Sequence, residues 1–210
     1  MSTEKATTAR RASGQQTRAR ILSAANAEFA EVGYQAATMA RIAKRAGVAT
    51  QTVYFNFRTK PLLLRELIFH AVVGGTEGQR PEDTDWFTGA LAARDGAAAL
   101  HTFATGAARI LARASVPSET ARIAAPTDAA VAEVYAEGER LRAEQFRRLI
   151  DSLAEHRQLR SDLSVDKATD IMLTMAGSQT YLQLTRERGW GHEEWAQWLS
   201  DALSRLLLDI

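Results

Sequence analysis

Apolar residues recur at three- and four-residue spacing along nearly the whole chain, and no run alternates β-branched with polar residues as a half-buried strand would. The pattern predicts an all-α protein. Ser13 followed by Gln16 reads as a capping box opening a first helix, which carries Ile21, Leu22, Ala25, Phe29 and Val32 on one face and stops at Gly33. Thr38 is placed to cap a short second helix bearing Met39, Ile42, Ala43 and Ala46, and Gly47 stands where a left-handed residue ends a helix and turns the chain. A third short helix covers residues 50–57. Thr59 caps a fourth, which has Pro61 in its first turn, where a missing N–H costs nothing, and continues through Leu63, Leu67, Ile68 and Val72 to Gly74-Gly75.

Residues 74–96 are rich in glycine and acids and include Pro81, so they read as a partly ordered connection. Helical spacing then predicts helices over 97–114, 126–157, 165–188 and 193–208, with a short turn between Pro117 and Ala124. The organisation expected is a disordered basic arm (1–12), a three-helix head (13–58), a connecting helix (59–73) and a larger helical domain (74–210).

Composition removes whole classes of chemistry. With no cysteine there are no disulfides, thiolate-bound metals or thiol nucleophiles. His70, His101, His156 and His192 are scattered, without the tight spacing of metal ligands, and no metal or cofactor is expected. A nucleophile with its base, a convincing carboxylate pair and a glycine-rich phosphate loop are all missing, so the chain does not read as an enzyme. It has neither a secretory leader nor an apolar run of roughly 20 residues, and a cytoplasmic protein without a membrane partner is expected.

The net charge of +1 conceals an asymmetry. Residues 1–70 hold 11 lysines and arginines against 4 acids, a balance of +7, and the remainder stands at −6. The basic third is where a polyanion would bind. Within it, Thr38 to Lys60 has the layout of a helix-turn-helix, whose second helix enters the major groove. An eight-residue helix is not stable alone, so the third helix must be held by packing, with Val53 and Phe57 as inward anchors and Phe55 as a further candidate for the core. Thr50, Gln51 and Thr52 then face outward, where Gln can pair with adenine and Thr with a base edge or a thymine methyl. Lys60 opens the fourth helix, a position unfavourable for a cation unless a phosphate joins it at the helix terminus.

The stretch GYQAATMARIAKRAGVATQTVYFNFRTKPLLL resembles the helix-turn-helix signature of the TetR family of transcriptional regulators through its whole length, residues 33–64. The resemblance implies phosphate contacts at Thr38, Tyr54 and Lys60, base reading by Thr50, Gln51 and Thr52, and a place for Arg18 and the basic arm near the backbone or minor groove. Asn56 stands where the family usually has His or Tyr, and Pro61 where it has an acid, so the contact at Asn56 would be altered. Residues 163–208 resemble the family's last two helices, which pair with their two-fold mates to form the dimer.

A wide apolar face on the terminal helix, made by Trp195, Trp198, Leu199, Ala202, Leu203, Leu206 and Leu207, also suits a homodimer. The resemblance further implies a pocket for a small-molecule effector, with Trp86, His101, Phe103, Arg109, Tyr135, Phe146, Met172, Met175, Gln179 and Tyr181 as candidate lining residues. The expected function is a ligand-responsive regulator, a repressor by family analogy, which binds a near-palindromic double-stranded operator as a homodimer and is released by its effector. The competing expectation is a helical ligand-binding or scaffold protein whose basic head holds another polyanion or a protein.

Overall fold

The computed structural model describes residues 2–74 and 80–209, with side chains described from residue 13 onward within those ranges, Pro81 excepted. The disordered arm expected over residues 1–12 is instead, from Ser2 on, the first turns of the first helix, and its side chains lie outside those described. Ten α-helices are present among the described residues: α1 (Ser2–Ala36), α2 (Met39–Ala46), α3 (Thr50–Phe57), α4 (Lys60–Val73), α5 (Asp85–Ala92), α6 (Gly96–Ala124), α7 (Ala129–Glu155), α8 (Val165–Met175), α9 (Ser178–Leu182) and α10 (His192–Leu207). They contain no strand, only one isolated bridge between Leu159 and Leu208. The all-α expectation holds.

The chain divides into two compact units. The first comprises residues 1–69 together with 120–134, the end of α6, a 3-10 turn (Ala125–Thr127) and the start of α7. Its core is built from Ile21, Ala25, Ile42, Val53, Phe57, Leu63 and Leu64, all nearly inaccessible, with Ala121 and Val131 from the second segment also buried. Gly33 breaks α1 at φ 75°, and Gly47 ends α2 at φ 65° with its N–H directed to the Ala43 and Lys44 carbonyls. Both angles are left-handed and cheap only for glycine. Ser13 lies inside α1 rather than at its start, and its carbonyl accepts from the Thr17 hydroxyl at 3.0 Å.

The second unit comprises residues 70–119 and 135–210. Leu100, Phe103 and Ala104 of α6, Leu149, Ile150 and Leu153 of α7, Met172 of α8, Tyr181 of α9 and Trp195, Leu199 and Leu203 of α10 form one continuous core. Three expectations are corrected here. Residues 85–92 are helical rather than connection, because Phe87 and Ala90 are buried on one side of α5. No turn forms after Pro117; α6 runs through it to Ala124, with Pro117 buried. The helix expected over 165–188 breaks at Ala176 and Gly177, where Gly177 is extended and starts α9, which closes in a π turn (Gln183–Glu187).

Candidate nucleic-acid interface

Helix α3 has two sides of opposite character. Val53 and Phe57, one turn apart, are buried at 0% and 2% exposure and fix the helix to the head. Gln51, Tyr54, Phe55 and Arg58 are exposed on the other side, Tyr54 at 50% and Phe55 at 87%. Thr50 and Thr52 flank this row and are half-buried. Asn56 is half-buried too, and its Nδ2 donates to the Thr52 carbonyl at 2.7 Å, which leaves its Oδ1 as the free end.

Phe55 is the residue that sequence reasoning placed wrongly. Offered to the core, it is instead the most exposed of the large apolar side chains in the described structure. Its signal lay in the spacing: on a helix whose buried residues are 53 and 57, position 55 falls about 160° round from the inner line. The chain reverses after it at Arg58, a non-glycine residue at φ 58°, with the Thr59 N–H donating to the Phe57 carbonyl at 2.5 Å across the turn.

The cations of the head are mostly occupied. Arg41 and Arg45 both grip Glu28, which is 2% exposed, and Arg45 also reaches Glu31. The hydrogen bond from Arg41 is the chief cause holding the Glu28 carboxyl below its ordinary range, against its desolvation. Arg20 caps the end of α2 by donating to the Ala46 carbonyl. Among the described residues of the head, Lys44 and Arg58 are left as exposed cations without a polar partner.

Lys60, an expected phosphate contact, and Arg18, expected near the backbone or minor groove, both have inward partners. Lys60 donates from Nζ to the carbonyls of Tyr34 at 2.8 Å and Ala37 at 3.0 Å, and its ammonium lies 4.1 Å from the centre of the Tyr34 ring. Two of its three donors thus have inward carbonyl partners. Desolvation pulls the Lys60 pKa down, and Asp128 opposes it. Arg18 pairs with Glu66 and stacks 4.6 Å over Phe57, so it braces α1 against α3 and α4. Thr38 is exposed, and its hydroxyl accepts from the Arg41 N–H at 3.2 Å as the cap of α2. The capping half of that expectation is met, and its outward position leaves the hydroxyl within reach of a ligand.

Residues 21–67, which hold every one of these side chains except Arg18, Arg20 and Asp128, match the family described as bacterial regulatory proteins, tetR family. The head thus has a TetR-family sequence over these residues. The chain also has the fold of solved TetR-type regulators. NalD, the secondary repressor of the MexAB-OprM multidrug efflux pump in Pseudomonas aeruginosa, is 22% identical at a TM-score of 0.67, over 91% of this chain and 95% of that one. PfmR, a TetR family regulator from Thermus thermophilus, is 22% identical at 0.68, over 89% and 97%. SmeT, the repressor of the Stenotrophomonas maltophilia efflux pump SmeDEF, is 16% identical at 0.65, over 92% and 93%. The sequence matches no curated protein at a significant level.

In this TetR-type fold the expected sensor and dimer residues separate by burial. Phe103, Phe146, Met172 and Tyr181 are core: Phe103 meets Phe146 edge-on at 5.1 Å, and Tyr181 meets Trp195 at 5.0 Å. Met175 and Tyr135 are half-buried, and His101 and Gln179 are exposed. Trp86 and Arg109 alone among the ten border the cavity described below. On α10, Trp195, Leu199 and Leu203 are wholly inaccessible inside this chain's own core, so the face read as a single dimer surface is split. Trp198 and Ala202 are half-buried, Trp198 against Trp190 and Trp195, and Leu206 is 41% exposed, so these three keep accessible surface. No helix among the described residues is long and apolar enough to cross a membrane.

Proposed function

We propose that this protein is a ligand-responsive repressor that binds a near-palindromic operator as a homodimer and leaves it when a small-molecule effector binds. The observation that carries the reading is the outward row Gln51, Tyr54 and Phe55 on a helix pinned by Val53 and Phe57, in a head of TetR-family sequence. An exposed aromatic pair is costly to keep in water, and the major groove offers it thymine methyls and sugar edges. Gln51 beside it can pair with adenine. The accessible surface left on Trp198, Ala202 and Leu206 supports a two-fold pairing of α10, and two reading helices in a dimer call for half-sites about one DNA turn apart. The roles of NalD and SmeT as repressors favour repression over activation.

Selection of binding sites from random DNA, with the full chain beside a Gln51→Ala, Tyr54→Ala double variant, tests this. Enrichment of a near-palindrome by the unaltered chain alone is the expected result. Salt-sensitive binding without sequence preference, equal in both proteins, would instead identify a general polyanion binder.

A further inference from the structure

The end of α4 is held by an arginine of α6. Arg113 donates from Nε to the Ala71 carbonyl at 2.9 Å and from a terminal nitrogen to the Val72 carbonyl at 3.4 Å. Beside this clasp opens a cavity of about 120 Å³, walled by Val72, Val73, Trp86 and Ile110 and bordered by Arg109 and Arg113. The indole reaches its place because Gly106 has no side chain; a Cβ there would collide with the ring. Arg109, one turn before Arg113, makes no hydrogen bond or ion pair among the described residues.

We propose that this cavity is an effector site and that it takes a small aromatic carboxylate. The volume approaches that of a cavity able to hold one benzene ring, roughly 150 Å³. A flat apolar wall beside two guanidinium groups matches a ring bearing one carboxylate, which arginine binds through paired N–H donors. Arg109 is free to take the anion outright. Arg113 neutralises the negative end of α4 with two of its five N–H donors and has three left to share with the anion. An anion on Arg113 offsets the charge that neutralises this helix end, which gives it a physical means of altering the helix that begins at Lys60. This coupling rests on the ligand-responsive reading above; the site itself does not.

The test is calorimetric titration of the full chain with benzoate and with benzamide, its neutral isostere, followed by the same titrations on Arg109→Gln and Arg113→Gln. Benzoate should bind with Kd at or below about 1 mM, and benzamide at least about tenfold more weakly. Arg109→Gln, which removes no bond of the protein, should keep its melting temperature and lose benzoate binding at least about tenfold. Equal binding of the two ligands, unchanged binding by Arg109→Gln, or no heat from the unaltered chain overturns the site, whatever the DNA does. With the selected operator, benzoate should weaken DNA binding in the unaltered chain and not in Arg109→Gln. Benzoate that binds through Arg109 yet leaves operator affinity unchanged confirms the site and refutes the release mechanism.

Discussion

The Tyr34 hydroxyl donates to Oδ2 of Asp128 at 3.2 Å, while Oδ1 of the same carboxylate accepts the N–H groups of Ala130 at 3.0 Å and Val131 at 3.2 Å. One carboxylate thus caps α7 and anchors the tyrosine whose ring and carbonyl hold Lys60. Desolvation, and after it the charge of Asp128, push the Tyr34 phenol above its ordinary range and keep it a donor. Asp128→Ala should cost about 1–3 kcal/mol by urea denaturation, the sum of a lost cap and a stranded hydroxyl. Tyr34→Phe, which leaves the cap in place, should cost less, about 0.5–1.5 kcal/mol. Equal losses in the two variants would mean that the cap contributes nothing.

Glu28 should shape the acid limb of stability. Its carboxyl is lowered from an ordinary value of 4.5 by hydrogen bonds and charge from Arg41 and Arg45. A group whose folded pKa is depressed contributes stability that is complete above the unfolded value and fades as pH falls through the folded one. The unaltered chain should therefore lose stability below about pH 4.5, and Glu28→Gln should be less stable at pH 7 yet flatter in that acid window. Because both arginines remain partly solvated, the loss at pH 7 should be about 1–2 kcal/mol, below the value for breaking a fully buried pair. Denaturation midpoints from pH 3 to 7 measure both effects; parallel curves for the two proteins would dissociate Glu28 from the acid limb.

Phe55 separates reading from folding. At 87% exposure, Phe55→Ala should change stability by no more than about 0.5 kcal/mol, and it should weaken binding to the selected operator by roughly tenfold or more, as loss of a base-edge contact does. The opposite pattern, an unstable variant that still binds tightly, would return Phe55 to the core.

The helix-turn-helix was legible because its instructions are local. Gly33 and Gly47 take left-handed angles at the ends of helices, and Thr38 reaches an N–H three residues on. Lys60 was not, since the carbonyls that hold it lie 26 and 23 residues away and no short window reveals them. Pro117 misled for the converse reason: a local breaking rule gave way to a long helix buried along most of its length. The face of α10 was legible as apolar, but periodicity cannot say whether the chain itself or its copy covers it.

That last ambiguity can be resolved by substitution on either side of α10. Trp195 is wholly inaccessible and packed on Tyr181, so Trp195→Ala should remove about 3–5 kcal/mol, much of the 5–15 kcal/mol typical of a folded protein, whatever the oligomeric state. Leu206 is 41% exposed, and a charge there can reach water in the isolated chain. Leu206→Glu should leave the chain helical by circular dichroism yet shift it from dimer to monomer in sedimentation velocity, because a carboxylate at the centre of a two-fold contact would face its own copy without a partner. Operator affinity should fall with it, since one head alone engages one half-site. If Leu206→Glu stays dimeric and binds as before, the two-fold contact lies on another face, and Trp198 and Ala202 lose their assignment together with Leu206.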